Sequence, residues 1–296
     1  MARNQGSSSS IRATAWVARA PELRSSRRSV ASDGATLTWA SSLAARLQRV
    51  TAGRVGDPGG VHTAHPGQPD TLAVPAARST ARVLTAVAGA ALLLVVLGGA
   101  VAAGWAPLLR VDGAVRDALY AGDDRSGLVE SVLQVATAPG LSVSRGVVLL
   151  PVLVWLVLRR SWWTATWVLG AAGLVSPLTG ALKELVGRQR PQFADGGARY
   201  DSLSFPSGHS SGVAALVTVA LVLAWPLLAP AARRWWLAAG AALVLLVGLT
   251  RMWLGVHFLS DVLGGWALGL GWTLLVALAF GALPGGRAAL RPGPAT

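Results

Sequence analysis

Residues Val83 to Ala106 form a run of 24 without a charge, and this run constrains the chain more than any other feature. At 1.5 Å per residue, a helix of that length crosses a hydrocarbon core about 30 Å thick. Four further segments are similar: Ser161 to Leu182, Gly208 to Ala232, Trp235 to about Trp253 with Arg251 near its end, and Val262 to about Phe280. A weaker one, Leu141 to Leu158, contains Arg145, whose guanidinium is expected to snorkel to the interface. Backbone groups inside lipid must be hydrogen-bonded within the segment, and none of these stretches alternates like a barrel strand. The expectation is all-α: an integral membrane bundle of six transmembrane helices.

Composition narrows the chemistry. Charged residues are 13% of the chain and cysteine is absent, which excludes thiolate nucleophiles, cysteine zinc sites and iron–sulfur clusters. The net charge of +13 sits beside long apolar runs, so it points to anionic lipid and membrane flanks rather than to nucleic acid. Residues 1–80 carry ten Arg against four acids with no sustained apolar period, and read as a disordered Arg/Ser-rich tail. The membrane domain is expected over 81–286 and a short tail over 287–296. An Ala/Arg/Gly-rich, lysine-poor composition is that of a high-GC bacterium, which would put the chain in a bacterial cytoplasmic membrane.

The links between spans carry further information. Leu108 to Tyr120 mixes Leu109, Val111, Val115 and Leu119 with Arg110, Asp112, Arg116 and Asp117, as an interfacial amphipathic helix does. Arg159-Arg160 and Arg233-Arg234 each precede a tryptophan pair, the pattern of interfacial anchors. Gly265 and Gly269, four apart in the last span, suit close helix packing.

Polar residues capable of chemistry gather at span ends in three groups. The first runs Lys183-Glu-Leu-Val-Gly-Arg188-Gln-Arg190-Pro191 and holds the only lysine in the chain; for an isolated lysine, snorkelling at a helix end is the commoner role. The second is Phe205-Pro206-Ser207-Gly208-His209-Ser210-Ser211, directly before an apolar run. Ser207 can cap the new helix, and Gly208 lets an anion approach the amides at the positive end of its dipole. An ordinary capped helix start explains this group equally well. The third is Thr250-Arg251-Met-Trp-Leu-Gly-Val-His257-Phe-Leu-Ser-Asp261. Positions four apart on a helix face each other, so Asp261 can accept from one ring nitrogen of His257 and leave the other as nucleophile or base.

Together, Lys183-x6-Arg190-Pro191, Pro206-Ser207-Gly208-His209 and Arg251-x5-His257-x3-Asp261 resemble the three-part signature of the type 2 phosphatidic acid phosphatase superfamily, which includes the vanadium haloperoxidases. Ten identities agree in order and spacing. Thr250 stands where the family usually has Ser, so tuning of a phosphate contact is expected. The resemblance covers about residues 83 to 280. It implies that Lys183, Arg190 and Arg251 bind phosphoryl oxygens with Ser207 and the Gly208 amide, that His257 is the nucleophile oriented by Asp261, and that His209 is the general acid. Arg188, Arg199, Asp195 and Glu184 fall outside the signature and are expected to be solvated or, at most, substrate-tuning.

The expected activity is a lipid phosphate or diphosphate phosphatase working through a phosphohistidine, on a polyprenyl diphosphate, phosphatidylglycerol phosphate or phosphatidic acid type of substrate. No cofactor and no metal are implied. A lipid phosphotransferase with an alcohol acceptor, or a non-catalytic lipid-phosphate binder or transporter, would share much of the pattern. With six spans, both termini and the two Arg-Arg links lie on one face and the three groups on the other. Excluding the signature cations leaves six basic residues near the catalytic face against eight on the other, so the positive-inside rule places both termini in the cytoplasm and the site outside.

Overall fold

The computed structural model describes residues 73–122, 124–192 and 202–290. The expected tail therefore lies almost wholly outside the described residues. Among the described residues eight α-helices follow one another: α1 (Ala73–Ala102), α2 (Ala106–Leu119), α3 (Gly127–Thr137), α4 (Ser142–Leu158), α5 (Trp162–Val186), α6 (Gly208–Ala224), α7 (Pro230–Trp253) and α8 (Leu259–Phe280). No strand occurs among the described residues.

Five of these helices, α1 from Ser79 onward and α5 to α8, are long and apolar enough to cross a membrane. The weak sixth span is α4, 17 residues long. It reaches spanning length only together with Gly127–Gly140, from which it is bent by 49°. Lipid-side residues stay uncovered as a membrane solvent permits: Val95 is 69% exposed, Leu158 77% and Trp235 77%. The chain is an integral membrane protein of helices.

The helices run alternately, so one end of the bundle collects the C-termini of α1, α5 and α7 and the N-termini of α4, α6 and α8. At the opposite end an apolar core of Leu156, Trp167, Val168, Val219, Ala277 and Ala282 is closed to solvent and lipid. Ala288 belongs to it, and its carbonyl accepts from Thr164 Oγ1 at 2.9 Å. At the first end Phe205 packs with Leu97 and Val101. Leu254 and Val256 pack on Leu133 of α3.

The close pair at the centre is α6 with α8, and glycine sets their separation. A Cβ on Gly265 would lie 2.6 Å from the Ser207 carbonyl oxygen and 2.8 Å from Ser210 Cβ. One on Gly269 would strike the Ser211 carbonyl. The two glycines therefore bring α8 backbone-to-backbone against α6, the close packing expected of their spacing.

Two charged residues differ from expectation. Arg145 does not snorkel: it is 4% exposed, its Nη2 donating to Ser142 Oγ at 3.2 Å and Ser176 Oγ at 2.5 Å and its Nη1 to the Gly140 carbonyl at 3.3 Å. Gly212 makes room, since a Cβ there would collide with the guanidinium, and three protein oxygens replace water. The helix α2 matches the amphipathic stretch, with Leu109 and Val111 exposed, but its Asp112 is 1% exposed and faces the bundle.

Candidate active site

The site grows from four helix ends. Ser207 is the N-cap of α6, its hydroxyl accepting from the Ser210 amide at 3.5 Å. Its own amide donates to the Asp261 carbonyl at 2.9 Å, which ties the start of α6 to the start of α8. Gly208 follows, half-buried. A Cβ there would meet only Thr179 Cγ2, at 3.9 Å, so packing does not demand glycine. The backbone is open to approach at the positive end of a 17-residue helix.

The spacing of Arg251 and His257 comes from how α7 ends. Gly255 takes a left-handed conformation, φ +68°, the Val256 amide donates to the Arg251 carbonyl at 3.1 Å and the Gly255 amide to the Met252 carbonyl at 2.9 Å. This is a Schellman turn. It reverses the chain so that Arg251, on the last turn of α7, and His257, just before α8, share one end. Arg251 is 1% exposed and donates to Thr137 Oγ1 at 3.2 Å. The Thr250 hydroxyl donates to the Val247 carbonyl of its own helix at 2.7 Å, the back-bonding usual for a helical threonine.

His257 is 2% exposed and Asp261 is closed to solvent. Asp261 Oδ2 faces His257 Nδ1 at 3.3 Å and accepts the Phe258 amide at 2.9 Å, so one carboxylate both orients the ring and caps α8. Ser204 donates to the same oxygen and lies 3.4 Å from Nδ1. The other ring nitrogen, Nε2, meets Arg190 Nη1 at 3.1 Å. A guanidinium can only donate, so the network assigns the proton to Nδ1 and the lone pair to Nε2. Burial pushes the His257 pKa down to about 3, and Arg190 and Arg251 push the same way against the Asp261 hydrogen bond and charge. The ring is neutral at physiological pH, the state a nucleophile needs.

Arg190 is held by the Val256 carbonyl at 2.9 Å and by Ser202, whose carbonyl and hydroxyl accept at 2.7 and 2.9 Å. Lys183, on the last turn of α5, donates to the Leu203 carbonyl and lies within electrostatic reach of Arg190, Asp261 and Arg251. His209, on the first turn of α6, interacts electrostatically with Arg251, His257 and Arg190. All eight residues singled out in the sequence thus come to one end of the bundle. Three cations, hydroxyl and amide donors and two imidazoles form a set that suits an oxyanion.

Arg188 is not solvated. Its side chain is 9% exposed and bridges Asp261 Oδ1 at 2.8 Å and Asp112 Oδ2 at 2.6 Å. Asp195 and Arg199 lie outside the described residues, and Glu184 is exposed. Asp112, Ser202, Ser204 and Ser260 carry no local signal of a place at the site: each finds its partner only through the tertiary fold.

The model of the PAP2 superfamily matches residues 152–283. Phosphatidylglycerophosphatase B of Bacillus subtilis (strain 168) is 41% identical over 114 residues, 38% of this chain and 55% of that protein. Lipid A 1-phosphatase of Rhizobium johnstonii is 36% identical over 112 residues, 35% of this chain and 42% of that protein. The chain spans about half the length of the curated relatives it matches. The crystal structure of a transmembrane PAP2-type phosphatidylglycerolphosphate phosphatase from Bacillus subtilis is 30% identical with a TM-score of 0.54, and the match covers 65% of this chain and 94% of that one.

Proposed function

The chain belongs to the PAP2 superfamily, and on that footing we propose that it is a membrane phosphatase removing the terminal phosphate of a lipid phosphate or diphosphate. The observation that carries the reading is the His257 ring held between Asp261 at Nδ1 and Arg190 at Nε2. An attacking nitrogen with a cation beside it is where a phosphoryl group with charge on its equatorial oxygens is stabilised.

In this reading Lys183, Arg190 and Arg251, with Ser207 and the Gly208 amide, hold the phosphoryl oxygens. His257 Nε2 attacks phosphorus, an N–P bond forms and the bond to the leaving oxygen breaks. His209 gives that oxygen a proton. Asp261 stabilises the positive charge His257 acquires. Water then attacks the phosphohistidine, His209 takes its proton, and phosphate leaves with His257 restored. Every role is filled by the chain's own donors, and we propose that no metal takes part. Phosphatidylglycerol phosphate is the first substrate to try, given the Bacillus subtilis relatives. The positive-inside count supports a site facing outward.

The test is phosphate release by purified protein in detergent from phosphatidylglycerol phosphate, phosphatidic acid and a polyprenyl diphosphate. At least one should turn over, unaffected by a chelator and inhibited by vanadate, which imitates five-coordinate phosphorus. Rapid quenching should trap an acid-labile phosphoprotein absent in His257→Ala. A turnover-competent His257→Ala, or loss on chelation restored by one metal, would overturn the mechanism.

A further inference from the structure

Resting on that reading of His257 and Asp261, we infer that Asp112 and Arg188 are positioning residues for the reaction, holding the Asp261 carboxylate from outside the phosphate-binding set. Asp112 sits on α2, whose Leu109 and Val111 are exposed, yet its own side chain is 1% exposed. Its Oδ1 accepts the Ser260 amide at 2.9 Å, and its Oδ2 accepts Ser260 Oγ at 2.6 Å and Arg188 Nη2 at 2.6 Å. Ser260 is on the first turn of α8, so a carboxylate from a helix 148 residues away satisfies one of the amides that every helix start leaves unpaired.

Arg188 completes the arrangement. One side of its fork is on Asp112, and the other, Nη1, donates to Asp261 Oδ1 at 2.8 Å and Ser260 Oγ at 2.6 Å. Its guanidinium stacks 3.9 Å over the Phe258 ring. Two buried carboxylates repel each other, and a planar guanidinium fork between them offsets that repulsion. The oxygen that Arg188 holds is not the one facing His257. By fixing Oδ1, Arg188 sets the rotation of the carboxylate and leaves Oδ2 aimed at Nδ1. Arg188 is occupied by two carboxylates and a hydroxyl.

A residue that acts only through Asp261 should lower kcat and leave KM nearly alone. Arg188→Gln is expected to reduce kcat at least about 10-fold, since small misplacements of catalytic groups are costly, with KM changed less than about threefold. Asp112→Asn, nearly isosteric, should act in the same direction. Asp112→Asn/Arg188→Gln should cost little more than Arg188→Gln alone, because the two residues act as one unit. Arg188→Lys keeps the charge but cannot span two carboxylates, so kcat should stay low.

The full-length chain in detergent is assayed for phosphate release alongside the wild type and His257→Ala, with thermal unfolding measured for each. If Arg188→Gln does not fold, Asp112→Asn and Arg188→Lys carry the test. Wild-type kcat in those variants, or a rise in KM at constant kcat, would overturn the positioning role. An inactive wild type or an active His257→Ala would instead overturn the phosphatase reading beneath it.

Discussion

Replacing Gly265 by alanine tests how the packing of α8 on α6 supports the chemistry. The added Cβ would sit 2.6 Å from the Ser207 carbonyl oxygen, where ordinary contacts begin at 3.4 Å. The obstacle is backbone, so no side chain can rotate away, and the helices must part by about 0.8 Å. Overpacking of this kind costs about 1–3 kcal/mol, which lowers the melting temperature by several degrees in a domain of this size. The catalytic effect should be larger than the structural one. Ser207 caps α6, its amide is bonded to the Asp261 carbonyl, and Gly208 and His209 follow directly. The separation therefore opens between the proposed phosphate seat and the Asp261–His257 pair, and a shift near 1 Å costs about 10²-fold in rate. kcat/KM for phosphate release should fall by about that factor in protein that still unfolds cooperatively. Gly173→Ala is the control, since nothing lies within 4 Å of an added Cβ there, and it should retain wild-type activity. Wild-type kcat/KM in Gly265→Ala would refute the coupling of packing to catalysis, as would an equal loss in Gly173→Ala.

Gly208→Ala should unfold at the wild-type temperature, because the added Cβ has room, yet raise KM roughly 10- to 100-fold if it blocks an amide that binds charged oxygen; paired melting and steady-state measurements check this. His257 should remain neutral at pH 5, its folded pKa of about 3 lying below the ordinary 6.5, and begin to protonate only as pH falls toward that value. Imidazole ¹⁵N shifts read this directly, and a half-charged ring near pH 6.5 would contradict the burial argument. The same sign applies to stability: the neutral ring favours the fold above about pH 6.5, and that contribution is lost progressively as pH falls toward 3. Single cysteines at the exposed positions Asp124 and Pro284 should react with an impermeant thiol reagent from outside only at 124; the reverse pattern would invert the orientation.

The sequence by itself determined the features whose physics is local. A run of 24 uncharged residues has to cross lipid as a helix. Asp261 and His257, four apart, were expected to face each other, and they do so across the capped start of α8, with His257 just outside the helix. Gly265 and Gly269 likewise announced a close contact through their spacing. Tertiary structure alone decided which charges are buried and with what. Arg145 read as a snorkelling residue because its compensation comes from Ser176 on another helix, 31 positions away. Arg188 and Asp112 read as surface charges because the partners that justify their burial are 73 and 148 positions distant. The cost of burying an ion depends on the groups that surround it in space, and no spacing along the chain encodes that meeting.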